Sequence, residues 1–192
     1  EGYVSTQGSN GNRNTAMTTL LGYPNNGFVA ADDAIGNTQA GIYVDSNGDG
    51  IVFGDIKNFR MPHPTEDGKE IWYASLEGSE AGAYQRGTAT LVNGEVEVSF
   101  PEHFKIVANT NTMTVMLTPL DASSKGMAVV EKTENGFKVK ELAEGTGNYS
   151  FDWEVKCVRA GYEEFTVVRD ASDCVPSSSS VAATVQLQEP TE

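Results

Sequence analysis

Histidine and cysteine are scarce in this chain, with two residues of each in 192, and basic residues number 13 against 27 acidic ones. The histidines, His63 and His103, stand in MPHP and PEHF, and no HExxH, CxxC or paired-histidine pattern accompanies them. Both read as loop residues, because the sequence sets no carboxylate and nucleophile beside either in the way a general base requires. The chain is therefore expected not to be an enzyme. The formal charge of −14 and pI near 4.4 repel nucleic-acid phosphates and anionic lipid, so no nucleic-acid partner is expected. No run of about 18 apolar residues occurs, which argues against membrane insertion. The opening EGYVSTQGSN lacks the basic and apolar regions of a signal peptide. No stretch of residues 55–168 keeps helical periodicity beyond two turns, which argues against a helical core.

The two cysteines, Cys157 and Cys174, fit either one disulfide or two thiols. Alternation in WEVKCVRA puts Trp153, Val155 and Cys157 on one face and favours a buried free thiol for Cys157, and the redox compartment stays open.

What is present divides the chain into three parts: 1–54, 55–168 and 169–192. Residues 1–54 are rich in glycine, asparagine and serine, with apolar runs of only a few residues. GFVAA (27–31), AGIYVD (40–45) and GIVFGD (50–55) read as short strands, with Asn and Gly supplying positive φ where the chain reverses. A segment so poor in apolar residues is expected to have no core of its own and to gain stability from neighbours or from identical copies.

Residues 55–168 alternate with period two in eight places: 69–77, 86–92, 95–100, 113–120, 126–132, 136–142, 150–158 and 163–168. Asn93-Gly94 and Asn135-Gly136 each fall between alternating runs, as in two-residue hairpin turns, so sequence neighbours are expected to pair antiparallel. The expected fold is all-β, an antiparallel sandwich or open barrel preceded by a glycine-rich oligomerising segment. PEHFKIV (101–107) fits one short helical turn or a loop crossing the sheet. Residues 169–192 read as a serine-rich tail, in which VAATVQLQ (181–188) alternates in the manner of an edge strand.

Two places carry candidate chemistry. In Asp45-Ser46-Asn47-Gly48-Asp49-Gly50, oxygen side chains at Asp45, Asn47 and Asp49 and a glycine at the sixth place fit a calcium loop. The twelfth place is Ile56 and the nearest carboxylate, Asp55, falls one residue early, so the EF-hand pattern fails. A hairpin tip is the favoured reading, with a weak Ca2+ site as the alternative and no other cofactor expected. Trp72 and Tyr73 are adjacent, so a strand turns one of them out of the core. That residue would offer a surface for sugar stacking or subunit packing, against the alternative of burial under a loop. Asn148-Tyr149-Ser150 matches the N-glycosylation sequon.

An ordered set of short motifs adds a resemblance over residues 50–168. It comprises Lys57, Phe59, His63 and Pro64; Tyr73, Ser75 and Glu80; Pro101, Glu102 and Phe104; Leu117, Thr118 and Pro119; and Trp153 with Val155. In that order they resemble the C-terminal β-domain of phage tail-fibre-like and bacterial surface fibre proteins. The resemblance implies a distal domain of an extracellular fibre, on a cell surface or a virion, that pairs with itself as a homotrimer and meets a cell-surface glycan or receptor. No Ser–Lys dyad context is present, so self-cleavage is not carried over. The alternative reading is a monomeric carbohydrate- or calcium-binding β-sandwich.

Overall fold

A computed structural model describes residues 3–20 and 23–169, and the side chains of 20, 23 and 24 are left out of the description. The expected tail strand at 181–188 and Cys174 lie outside the described residues. Among the described residues the fold is all-β, with 56% in strands and 4% in helix, in antiparallel sheets that close no barrel. It forms two compact units, Glu1–Glu77 with Val168–Glu192 and Gly78–Val167. The units divide at 77/78, whereas the change in composition falls at 54/55, because the hairpin that follows residue 54 stays with the first unit.

The first unit is a meander of five strands, β1 Val4–Gln7, β2 Arg13–Leu20, β3 Tyr23–Asp32, β4 Thr38–Val44 and β5 Gly50–Phe53, followed by the hairpin β6 Asn58–Pro62 and β7 Glu70–Ala74. Three of its turns share one hydrogen-bond scheme. Gly8 N donates to Asn12 O at 2.9 Å, Asp33 N to Asn37 O at 2.8 Å and Asp45 N to Asp49 O at 3.0 Å. In each turn the glycine one place before the closing residue has positive φ: Gly11 at 80°, Gly36 at 91° and Gly48 at 88°. This is a three-residue hairpin loop, in which only the third position needs the left-handed conformation that glycine takes without cost. The sheet is longer than the sequence suggests and has a core, although a small one: Ala16, Phe28, Ala30 and Tyr43 are buried, with Ile51 and Phe53 packed against them.

The second unit packs two three-stranded sheets face to face. One contains β8 Gly82–Thr90, β10 Ala108–Pro119 and β13 Ser150–Arg159, ordered β10-β13-β8. The other contains β9 Glu95–Ser99, β11 Met127–Thr133 and β12 Gly136–Glu141, ordered β11-β12-β9. Strand β8 alternates exposed and half-buried at every residue, as period-two patterning requires. Leu91, Phe137, Val139, Phe151, Val155 and Cys157 meet between the sheets, and burial of each large apolar side chain contributes roughly 1.5–3 kcal/mol. Helix α1, Glu102–Val107, forms at the expected site, starting after the extended Pro101 and burying Phe104 against Phe100 at 5.1 Å. Cys157 is a buried free thiol, and burial raises its pKa.

Three expectations are corrected. Residues 163–168 form no strand. Asn93-Gly94 does make the expected tight turn, with φ of 53° and 81° and paired bonds between Val92 and Glu95. The strands it joins nevertheless part, β8 to β13 and β9 to β12, so the turn carries the chain between sheets. At the β11–β12 hairpin the central residues are Glu134 and Asn135, with Thr133 opposite Gly136, and neither has positive φ. Gly136 is required for a different reason: a Cβ there would overlap the carbonyl oxygen of Val98 on β9.

The Glu141 carboxylate gathers the loops that cross between the sheets. It accepts from Gly147 N at 2.8 Å and Tyr149 OH at 2.9 Å in the β12–β13 loop, and from Lys125 N at 3.2 Å in the β10–β11 loop. Its own backbone N–H donates to Gly94 O in the β8–β9 turn at 2.7 Å. The backbone donors of Gly147 and Lys125 hold its pKa below the ordinary value.

Gly136→Ala is expected to cost about 1–3 kcal/mol, as overpacking against fixed backbone does, and chemical denaturation measures it. A neutral result would place the β9–β12 contact elsewhere. The lowered pKa of Glu141 makes its contribution complete above the unfolded glutamate value near 4.3, and it is lost as pH falls through the lower folded value. Glu141→Gln is therefore expected to melt below the wild type at pH 7, with the gap narrowing towards pH 3. A gap independent of pH would show that the charge is not what matters.

Candidate functional site

Asp45 follows directly on the last residue of β4, Val44, and is 3% exposed. Its Oδ1 accepts from Asn47 N at 2.9 Å and Asp49 N at 3.0 Å, while Oδ2 faces Arg169 Nη1 at 3.3 Å. Asn26 Nδ2 donates to the carbonyl of Asp45 at 2.9 Å. The carboxylate thus turns inward onto its own loop, an Asx turn that fixes the hairpin tip. A cation at Asp45, Asn47 and Asp49 would compete with a guanidinium and two backbone donors. Among the described residues no group of three His, Cys, Asp or Glu side chains is placed to hold a metal ion.

Asp33 repeats this arrangement in the β3–β4 loop, accepting from Ile35 N at 3.0 Å and Asn37 N at 2.9 Å, and the Asn37 backbone donor leads the lowering of its pKa. DAIGN (33–37) and DSNGD (45–49) are one loop used twice, with GSNGN (8–12) a third copy whose first residue is glycine. The recurrence weakens the case for DSNGDG as a dedicated ion loop, since its sibling carries alanine and isoleucine at the second and third places.

Trp72 and Tyr73 do point to opposite faces, but both are more than half exposed, so neither is buried under a loop. Tyr73 meets Phe59 edge-on at 5.4 Å, with Met61 opposite Ile71 on the same face of the hairpin. On the other face Arg60 lies over the Trp72 ring at 5.5 Å, and Glu70 Oε2 accepts from Trp72 Nε1 at 2.9 Å. An exposed indole flanked by a cation and a carboxylate suits stacking with hydrogen bonding at the ring's edge, as sugar or peptide contacts use.

His63 lies in the β6–β7 loop, with Nε2 at 3.5 Å from Glu66, and His103 lies on α1. A groove of about 480 Å3 on the exposed face of the β10-β13-β8 sheet is lined by Arg86, Thr88, Met116, Asp152 and Glu154. The Asp152 carboxylate there accepts from Thr88 Oγ1 at 2.6 Å, and no histidine or cysteine lines it. Asn148, the sequon asparagine, uses both ends of its amide, accepting from Asn93 N at 3.0 Å and donating to Thr146 O at 3.1 Å.

The sequence reading missed one surface. Val4, Met17, Val29, Ile42 and Val52 stand directly opposite one another, forming a single row across all five strands of the first unit. Each is between 41% and 64% exposed. The signal was in the runs Phe28-Val29-Ala30, Ile42-Tyr43-Val44 and Ile51-Val52-Phe53, which are apolar at both parities where a half-buried strand would alternate.

No family model matches the chain, and no characterised protein or solved structure shows a significant match to it. The resemblance to fibre domains stands on its motifs alone.

If the loop serves only to turn the chain, Asp45→Ala will lower stability by about 1–3 kcal/mol through its unpaired backbone donors. Millimolar Ca2+ will then leave the wild-type melting temperature unchanged. A calcium-induced rise that Asp49→Ala abolishes would establish the ion site instead.

Proposed function

We propose that this chain is a structural or adhesive module of an extracellular fibre, on a cell surface or a virion, and assembles with copies of itself as a trimer. The observation that carries this reading is the thinness of the first unit's core. Among the described side chains the five strands bury Ala16, Phe28, Ala30 and Tyr43, two of them alanines, with Ile51 and Phe53 packed against them, whereas the second unit buries twelve residues between its sheets. At roughly 0.8 kcal/mol per buried methylene, such a core offsets little of the chain entropy lost on ordering some fifty residues. A sheet in that position gains its remaining stability from other chains. The motif resemblance supports the fibre setting, and the acidic charge of −14 suits a protein that stays soluble outside cells. The aromatic hairpin at Trp72 and Tyr73 supplies a surface for a glycan or receptor.

Light scattering of the full chain tests the reading. The expected mass is three times the 20.6 kDa of one chain, held on dilution through the micromolar range. A single-chain mass at every concentration would sink the assembly and bring forward a monomeric carbohydrate-binding module using Trp72 and Tyr73.

A further inference from the structure

Resting on that assembly reading, we infer that the interface is the apolar row Val4–Met17–Val29–Ile42–Val52, buried against the same face of further copies of this chain. Sequence patterning points there first. The runs in β3, β4 and β5 place one apolar residue on the small core and the next on the opposite face, and strands that are apolar on both sides are strands buried on both sides. In the described structure only one side is covered.

Charge identifies the occupant. Beside the row run Thr15–Ala31–Ala40 on one side and Thr19–Gly27 with Val44–Gly50 on the other, all uncharged. Two copies that each carry −14 repel across most of their surfaces, and this face lets them approach without opposing carboxylates. A basic partner would find no acidic group here to pair with. The row also runs from edge to edge, ending in β1 (VSTQ) and β5 (GIVF). Neither has the lysine, proline or other charge by which edge strands discourage pairing.

Area agrees. Five strands about 4.8 Å apart and three rows about 6.7 Å apart give a face of about 400–500 Å2. That matches the largest apolar patch of an ordinary monomer, and such patches are commonly functional. Three copies facing one axis remove about 1,200–1,500 Å2 in all, or about 400–500 Å2 for each pair, so each contact is small and the assembly depends on all three forming together.

The test is the light-scattering mass of Val29→Glu/Ile42→Glu beside the wild type, with circular dichroism confirming strand content. Roughly tenfold or greater weakening of assembly is expected, since each copy then brings buried charge to the contact. Ile42→Thr keeps a β-branched side chain at this exposed position and guards against misfolding of the double variant; it is expected to weaken assembly in the same direction. Val130→Glu, an exposed valine on β11 of the other unit, is expected to leave the mass unchanged. A wild-type oligomer that keeps its mass in both face variants overturns this interface and leaves the assembly reading standing. A wild-type monomer overturns both, and assigns the face to a different protein or to other residues of the chain.

Discussion

Three of the chain's passages between the two sheets of the second unit converge on Glu141. The β8–β9 turn, the β10–β11 loop and the β12–β13 loop all reach this residue, two through its carboxylate and one through its backbone N–H. Glycine makes the convergence possible: a Cβ at Gly94 would overlap the carbonyl of Gly145, and one at Gly145 would overlap the Glu141 carboxylate. A sandwich whose sequential strands change sheet so often needs its crossings fixed at one end. A single carboxylate accepting several donors does that with little side-chain entropy to lose, since its position is already set by the strand that carries it.

The first unit is organised on the opposite principle. Its meander repeats one hairpin loop at residues 8–12, 33–37 and 45–49, so these three connections are local and each closes on its own backbone. The loops sustain themselves through backbone bonds and, in two of them, an aspartate that caps its own turn. Arg13 pairs with the fully buried side chain of Asp32, and Thr38 donates to the same carboxylate at 2.8 Å, which closes the end of the sheet near the β3–β4 loop. Local order is thus well specified, while the side-chain burial that usually pays for a sheet is sparse.

Much of this architecture was legible in the sequence because period-two alternation survives wherever one face is buried. Seven of the eight runs expected after residue 55 are strands, and PEHFKIV is a helical turn. Pairing was less legible. Asn93-Gly94 specifies a tight turn through backbone conformation, but whether its flanking strands stay together depends on which sheet each can join, and that is a tertiary matter. Gly136 shows the same limit: the residue is needed for the approach of β9, which no local pattern encodes. At EEFTVV the alternation is present but the strand is not, since period two records only a compatible pattern. For the candidate site, adjacency correctly separated Trp72 from Tyr73 to opposite faces, yet a two-stranded hairpin has no interior in which to bury either. The oxygen-rich spelling of DSNGDG drew attention to an ion, whereas its resemblance to DAIGN, a loop with the same hydrogen bonds but alanine and isoleucine at its second and third places, identifies turn formation as the shared requirement.

The two units divide the energetic tasks of one chain. The second unit encloses a twelve-residue core between its sheets and carries charge pairs outward, as in Glu95 between Lys138 and Lys140, although apolar residues such as Val130 and Met116 stay exposed on it singly. The first keeps an uncharged apolar row in water across its full width, a cost that a solitary domain would have shed by placing threonine or lysine at Val29, Met17 or Ile42. The row on one side has done just that with Thr15, Ala31 and Ala40, so these strand positions tolerate small and polar residues. Under the proposed assembly the large apolar side chains of the central row are covered by other copies, because in a chain of charge −14 the cover with the least electrostatic opposition is another uncharged sheet face.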